Sequence, residues 1–125
     1  MNMAIESLIN DTSVHLTSKL MELSFERQRV IANNLANANT PHYTRHDINF
    51  QDQLAELIDN NKLENVDTVK GVMVEDKSNP ARLDGNNVQA ADEMNQMMEN
   101  SVLHNLLTRV YSTKMKIMEQ AISSK

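Results

Sequence analysis

The sequence has no cysteine and no tryptophan, and holds only two glycines, two prolines, two phenylalanines and two tyrosines. Without cysteine there is no disulfide, no thiolate zinc site and no cysteine nucleophile. Gly71 and Gly85 alone cannot build a Gly-rich phosphate loop or a GxGxxG turn. No GxSxG elbow occurs either, so the chain reads as non-catalytic. Phe25, Tyr43, Phe50 and Tyr111 are too few to dominate a core. The apolar content is mostly Leu, Ile, Val, Met and Ala near the two ends, which implies a thin core and a subunit stabilised by its partners. No apolar run approaches the ~20 residues of a membrane helix. The opening MNMAIESLIN lacks the basic start of a secretory signal, and Glu6 interrupts it. A place in the cell envelope would therefore need another export route.

The formal charge of −5 is unevenly spread. Residues 1–40 carry four acids against three bases, residues 41–88 nine against five, and residues 89–125 four against four. Nearly neutral ends can pack side by side, while the acidic middle reads as solvated, including the run Asp59, Glu64, Asp67. No basic patch exists to neutralise phosphates, which disfavours a nucleic-acid partner.

One domain over 1–125 is expected, in three segments. In the first, 11–39, Leu16, Leu20, Leu23, Val30, Ile31, Leu35 and Ala38 recur at steps that share one side of a helix. Asp11, Thr12 and Ser13 offer capping oxygens, and Pro41 pushes Thr40 towards extended geometry and stops the helix. The second, 40–86, is irregular. Within it QDQLAELIDN, from Gln51 to Asn60, fits a short helix on Leu54, Leu57 and Ile58. Thr68 to Glu75 fits one strand or a small hairpin, and Asn79-Pro80 and Asp84-Gly85 signal turns. The third, 87–123, is a helix, with Asn86 and Gln89 resembling a capping box. Its row Leu103, Leu107, Val110, Lys114, Ile117, Ala121 lies beside a second, Leu107, Tyr111, Met115, Met118, Ile122. That face is broader than a two-helix seam needs. The expected fold is mainly α: two long terminal helices paired antiparallel as a coiled-coil-like bundle, with a short irregular or β central segment.

A few residues invite chemistry. His42 and His46 stand four apart with Asp47 following, but in a non-helical segment. Zinc sites want three or four convergent ligands, so no metal is assigned. His15 and His104 read as helix-surface or interface residues. Met94, Met97, Met98, Met115 and Met118 fit either core filling or an adaptable interface. The densest local feature is ANNLANANT, with Asn33, Asn34, Asn37 and Asn39. Asparagine prefers caps and turns, so the cluster is either a solvated helix end or a set of amides bonding across a packed interface. A buried Asn can fix register there.

The stretch Arg27 to Phe50 reads RQRVIANNLANANTPHYTRHDINF. Its centre, ANNLANANTPHY, resembles the N-terminal signature of the flagellar rod and hook protein family, ANNLAN-x-x-TPGY. Shortness, the Arg45-to-Phe50 continuation, and DGNNV (Asp84 to Val88) followed by Glu93-Met94 are similar to the short proximal-rod members. His42 departs from the usual glycine, so the turn there would use ordinary backbone angles or be held by a neighbouring chain. The resemblance implies a structural subunit with no cofactor, exported through the flagellar type III channel without a cleaved signal. It implies assembly above the membrane ring on the periplasmic side, with the terminal helices lining the export channel and transmitting torque. Implied partners are FlgC-type and further rod subunits, a FliE-type adaptor, further copies of itself and the export apparatus. Candidate assembly residues are Asn33, Asn34, Leu35, Asn37, Thr40, Pro41, Tyr43, Leu103, Leu107, Val110 and Ile117. A soluble helical adaptor or export chaperone for rod proteins is the alternative, though it has no need of ANNLANANTP.

Overall fold

The computed structural model describes residues 12–124; Asp11 as a cap and the opening ten residues lie outside them. Helix α1 spans Thr12–Ala36, strand β1 His46–Asn49 and helix α2 Gln51–Asp59. A 3-10 helix over Leu63–Thr68, strand β2 at Val72–Glu75 and helix α3 at Ala90–Ser123 follow. At 1.5 Å per residue α1 is about 37 Å long and α3 about 50 Å. No described helix is long and apolar enough to cross a membrane.

The two long helices pack together and run antiparallel, as expected. Their cross-links descend in step: Ser13 with Lys114 at 2.7 Å, Ser24 with His104 at 2.8 Å, Gln28 with Ser101 at 3.2 Å, Asn34 with Glu93 at 3.3 Å. The seam is largely polar. Buried Asn100 donates to the Ser24 carbonyl at 2.7 Å and to Gln28 Oε1 at 2.8 Å. The apolar face of α1 finds its cover elsewhere, in the central segment. Leu23, Val66 and Val69 are buried together, with Leu16, Phe50, Leu54 and Leu57 packed around them. Within the middle Asp59, Glu64 and Asp67 are solvated as expected, while Asp47 and Asp76 are partly buried against Arg27 and Arg45 and the aliphatic side chains close the core. Ile58, expected on the apolar side of the short helix, is exposed.

The strand expected at Thr68–Glu75 is shorter and forms no hairpin with its own neighbours. Residues Val72–Glu75 pair antiparallel with β1, His46 opposite Glu75 and Asn49 opposite Val72. A two-stranded ribbon is marginal alone. Here Arg27 of α1 steadies it, donating to the Ile48 carbonyl at 2.6 Å and to Asp47 at 3.2 Å while its guanidinium lies 5.0 Å from the Phe50 ring centroid.

Helix α1 stops at Ala36 rather than Asn39 because Asn37 turns back on it. Its side-chain amide donates to the Asn33 carbonyl at 2.8 Å, one turn earlier, an alternative to continuing the helix. Side chains from the far end of the central segment then hold the carbonyls of the turn that follows. Buried Asn86 donates to the carbonyls of Asn37 (2.8 Å) and Thr40 (2.9 Å), and Arg82 to that of Ala38 at 2.5 Å. This use of Asn86 is also why the expected capping box is absent. Asn86 Oδ1 accepts from the Val88 amide at 2.7 Å and Asn87 Oδ1 from the Arg45 amide at 2.7 Å. Helix α3 begins only at Ala90, with no side-chain cap on Gln89.

His42 does not take ordinary angles: its φ is 63°. It sits back to back with Gly85, φ 84°, and the His42 amide donates to the Asp84 carbonyl at 2.8 Å. A Cβ on Gly85 would lie 2.7 Å from His42 Nδ1 and 3.2 Å from His42 Cα. Gly85→Ala should therefore lower stability by roughly 1–3 kcal/mol in urea unfolding. Part of that loss should return in the double variant with His42→Gly, which removes the clashing ring.

Candidate assembly interface

Asn34 lies on the last turn of α1 and is fully buried. Its side-chain amide pairs with the backbone of His46 as a neighbouring strand would. Nδ2 donates to the His46 carbonyl at 2.8 Å, and Oδ1 accepts from the His46 amide at 3.0 Å. The second lone pair of Oδ1 accepts from the Tyr43 hydroxyl at 3.1 Å and the second Nδ2 proton goes to Glu93 at 3.3 Å. All four hydrogen-bonding positions of the amide are filled inside the chain.

Beside it lies a buried ion pair. Arg45 and Glu93 are 3% and 1% exposed. Arg45 Nε donates to Glu93 Oε1 at 2.5 Å and Nη2 to Oε2 at 3.4 Å, a bidentate contact. Two of the three remaining protons reach Asp76 and Gln96. Burial opposes the charge on Arg45, but Glu93 and Asp76 outweigh it and raise its pKa. Hydrogen bonds from Ser78 hold the Asp76 carboxyl below its usual range, with Arg45 adding to the effect. Burial, then the Glu93 charge, raise the Tyr43 phenol against the opposing pull of Arg45. Among the described residues no buried side-chain nitrogen or oxygen lacks a partner. A closed polar network of this kind locks one arrangement.

The candidate assembly residues fall into two groups. Asn34 and Tyr43 meet, and Thr40 Oγ1 donates to Asn37 Oδ1 at 3.1 Å. Asn33, Thr40 and Pro41 are exposed, and Leu35 and Asn37 half-buried. The second group lies farther along α3. Leu107 is half-buried, whereas Leu103, Val110 and Ile117 are 46%, 38% and 52% exposed. The other row is better covered: Tyr111, Met115 and Met118 are half-buried, while Ile122 at its end is exposed. Leu103, Val110 and Ile117, with Val102 and Leu106, leave an apolar stripe uncovered. Of the methionines, Met94 and Met98 are also exposed. His42 and His46 do not converge: one sits at the Gly85 turn, the other stacks edge-on against Tyr43 at 5.6 Å. His104 bonds across the helix seam. Among the described residues no group of His, Asp or Glu could hold a metal ion.

Sequence reasoning alone missed the bonding of Arg45, Glu93, Asn86 and Asn100. Arg45 and Glu93 entered only as points of resemblance, and nothing in their spacing signalled that they would meet. Their one local cue is that each flanks a signature stretch.

Two comparisons with known proteins agree. Residues 26–44 match the family described as flagella basal body rod protein, which covers the end of α1 and the turn up to Thr44. Over 132 residues the chain is 26% identical to the flagellar basal body rod protein FlgB of Escherichia coli (strain K12), spanning 91% of this chain and 95% of that one. The FlgB of Borrelia hermsii is 28% identical over 129 residues, 86% of this chain and 93% of the relative. The FlgB of Borreliella burgdorferi is 26% identical over 118 residues, covering 80% and 87%. The resemblance read from residues 27–50 thus extends over most of the chain, and it is to a structural rod family, not to an enzyme family.

Removing one member of the buried pair should be costly. Arg45→Met should destabilise the chain by about 3–5 kcal/mol, since it leaves Glu93 buried and uncompensated; adding Glu93→Gln should recover part of this in denaturant titrations. The low pKa of Asp76 stabilises the fold above the ordinary carboxylate range, and that contribution is lost as pH falls through the lowered value. Asp76→Asn should therefore flatten the acid limb of a stability–pH curve.

Proposed function

We propose that this chain, similar over most of its length to flagellar basal body rod proteins, is a structural subunit of the proximal rod. It assembles with copies of itself and other rod proteins through its terminal helices. The observation that carries this reading is the uncovered stripe on α3. Val102, Leu106 and Ile117 are more than half exposed, on a different side of the helix from the one that meets α1. A large apolar surface left open in this way marks an interaction site. The rigid clamp of Asn34, Arg45 and Glu93 supports the same reading, because it fixes the angle between the stripe and the signature turn.

In the assembled rod the stripe (Leu103, Val110, Ile117, with Leu107 at its edge) is covered by neighbouring subunits. Asn33, Leu35, Thr40 and Pro41 form a second contact at the end of α1. Asn34, Asn37 and Tyr43 shape that turn from within. FlgC-type and further rod subunits and a FliE-type adaptor are the neighbours, on the periplasmic side. The subunit leaves the cell through the flagellar export apparatus. The terminal helices line the channel and pass torque along the rod, which favours a fixed helix register. No cofactor takes part.

Quantitative mass spectrometry of purified basal bodies should find several copies per particle that survive salt washing. Absence from the particles, with the chain left in the cytoplasm, would instead favour an adaptor or chaperone. Leu103→Asp and Val110→Asp alter exposed positions and should shift stability by no more than about 0.5 kcal/mol. Both should nevertheless abolish swimming and incorporation into basal bodies.

A further inference from the structure

The two edges of the ribbon are treated differently. Asn34 bonds both the amide and the carbonyl of His46, so those groups point towards α1. The Ile48 amide donates to Asp47 Oδ1 at 2.7 Å, and its carbonyl accepts from Arg27. Every outward backbone group of His46 and Ile48 is thus sealed by a side chain. Opposite these two stand Glu75 and Met73. Bonded and non-bonded pairs alternate along an antiparallel ladder, and both members of a non-bonded pair turn their backbone groups outward. The Asp76 amide, donating to the Arg45 carbonyl at 2.9 Å, fits this alternation. The amides and carbonyls of Met73 and Glu75 therefore point away from β1, and among the described residues nothing bonds them. Just before the strand, Gln53 closes Lys70 at both its amide and its carbonyl. The open edge is confined to β2, where no proline, lysine or bulge blunts it. Val72, Met73 and Val74 are 51%, 60% and 37% exposed.

We infer that β2 takes an extended segment of a neighbouring, non-identical subunit as a third strand. The occupant follows from what the edge offers. Amides and carbonyls recurring every second residue match another polypeptide backbone, and the side chains beside them set its chemistry. Met73 shares one face of the ribbon with Ile48 and Glu75. That face borders a groove of about 550 Å³ that also takes in Val30, Asn33 and Gly71, with Glu26 and Arg29 of opposite charge on its wall. Val72 and Val74 lie on the other face. The incoming strand carries apolar residues beside Val72, Met73 and Val74, and a Lys or Arg beside Glu75. The existing contact of Glu75 with Lys77, 3.8 Å between exposed side chains, is a surface pair of little worth. A second copy of β2 fits badly. Only outward residues can bond, and about a twofold axis no such register that overlaps the two strands sets a cation against Glu75. This deepens the reading of the chain as a rod subunit and rests on it.

The test uses proline, which removes one edge amide and leaves the ladder to β1 intact. Met73→Pro should keep the helix content and urea midpoint near those of wild type, yet cut incorporation into basal bodies about tenfold. Met73→Ala, which keeps the amide, should be incorporated within about twofold of wild type. Glu75→Lys should also lower incorporation. Hydrogen exchange on wild type gives a measurement that does not depend on a variant folding. The Met73 and Glu75 amides should exchange freely in the purified chain and about tenfold slower in basal bodies. Full incorporation of Met73→Pro, or exchange equally fast in chain and particle, would overturn the inference while leaving the rod reading in place. So would protection that already appears as the purified chain dimerises, which assigns the edge to a second copy. Absence of wild type from basal bodies would overturn the rod reading and this inference together.

Discussion

Everything else in this subunit depends on the buried pairing of Arg45 with Glu93. Arg45 begins the return of the chain after α1, and Glu93 lies in the first turn of α3. Their contact joins segments 48 residues apart. It fixes where α3 starts against α1, and Asp76 draws the end of β2 into the same cluster. An isolated buried ion would cost several kcal/mol. Here the guanidinium is shared among two carboxylates and an amide, and Asn34 bonds the far side of Glu93. The arrangement is more a device for specifying geometry than a source of net stability.

The division of labour between surfaces follows from this. Hydrogen bonds through Asn34, Asn100, Ser24 and Gln28 hold the seam between the long helices. The apolar side of α1 is closed by the central segment, with Val66 and Val69 against Leu23. That leaves Val102, Leu103, Leu106, Val110 and Ile117 of α3 uncovered within the subunit. A chain that wanted only to be a stable monomer would have turned them inward. Satisfying the internal seam with polar groups keeps the greasy surface for use outside.

The helices, their antiparallel pairing and the exposed apolar row were legible because they rest on periodicity, which is local. The boundaries were not, because they depend on distant partners. Asn37 and Asn86 together end α1 early, and the commitments of Asn86 and Asn87 delay α3. The strand pairing of Val72–Glu75 with His46–Asn49 was hidden for the same reason, since a long connection with its own helix separates the partners. The left-handed turn at His42 ran against its residue type. It is explained only by Gly85, which leaves room for the ring. Of the asparagine cluster, pattern alone could not say that Asn34 faces inward while Asn33 faces out.

The seam between α1 and α3 also sets the order in which the chain can fold. Its links join residues between 59 and 101 positions apart, so closing it incurs a large loop-closure entropy before any contact compensates. The ribbon and the small core around Leu23 need only shorter closures. A chain emerging from its amino end can build those first. The two helices, however, cannot zip until nearly the whole polypeptide is free, and up to that moment it stays an open and pliable thread.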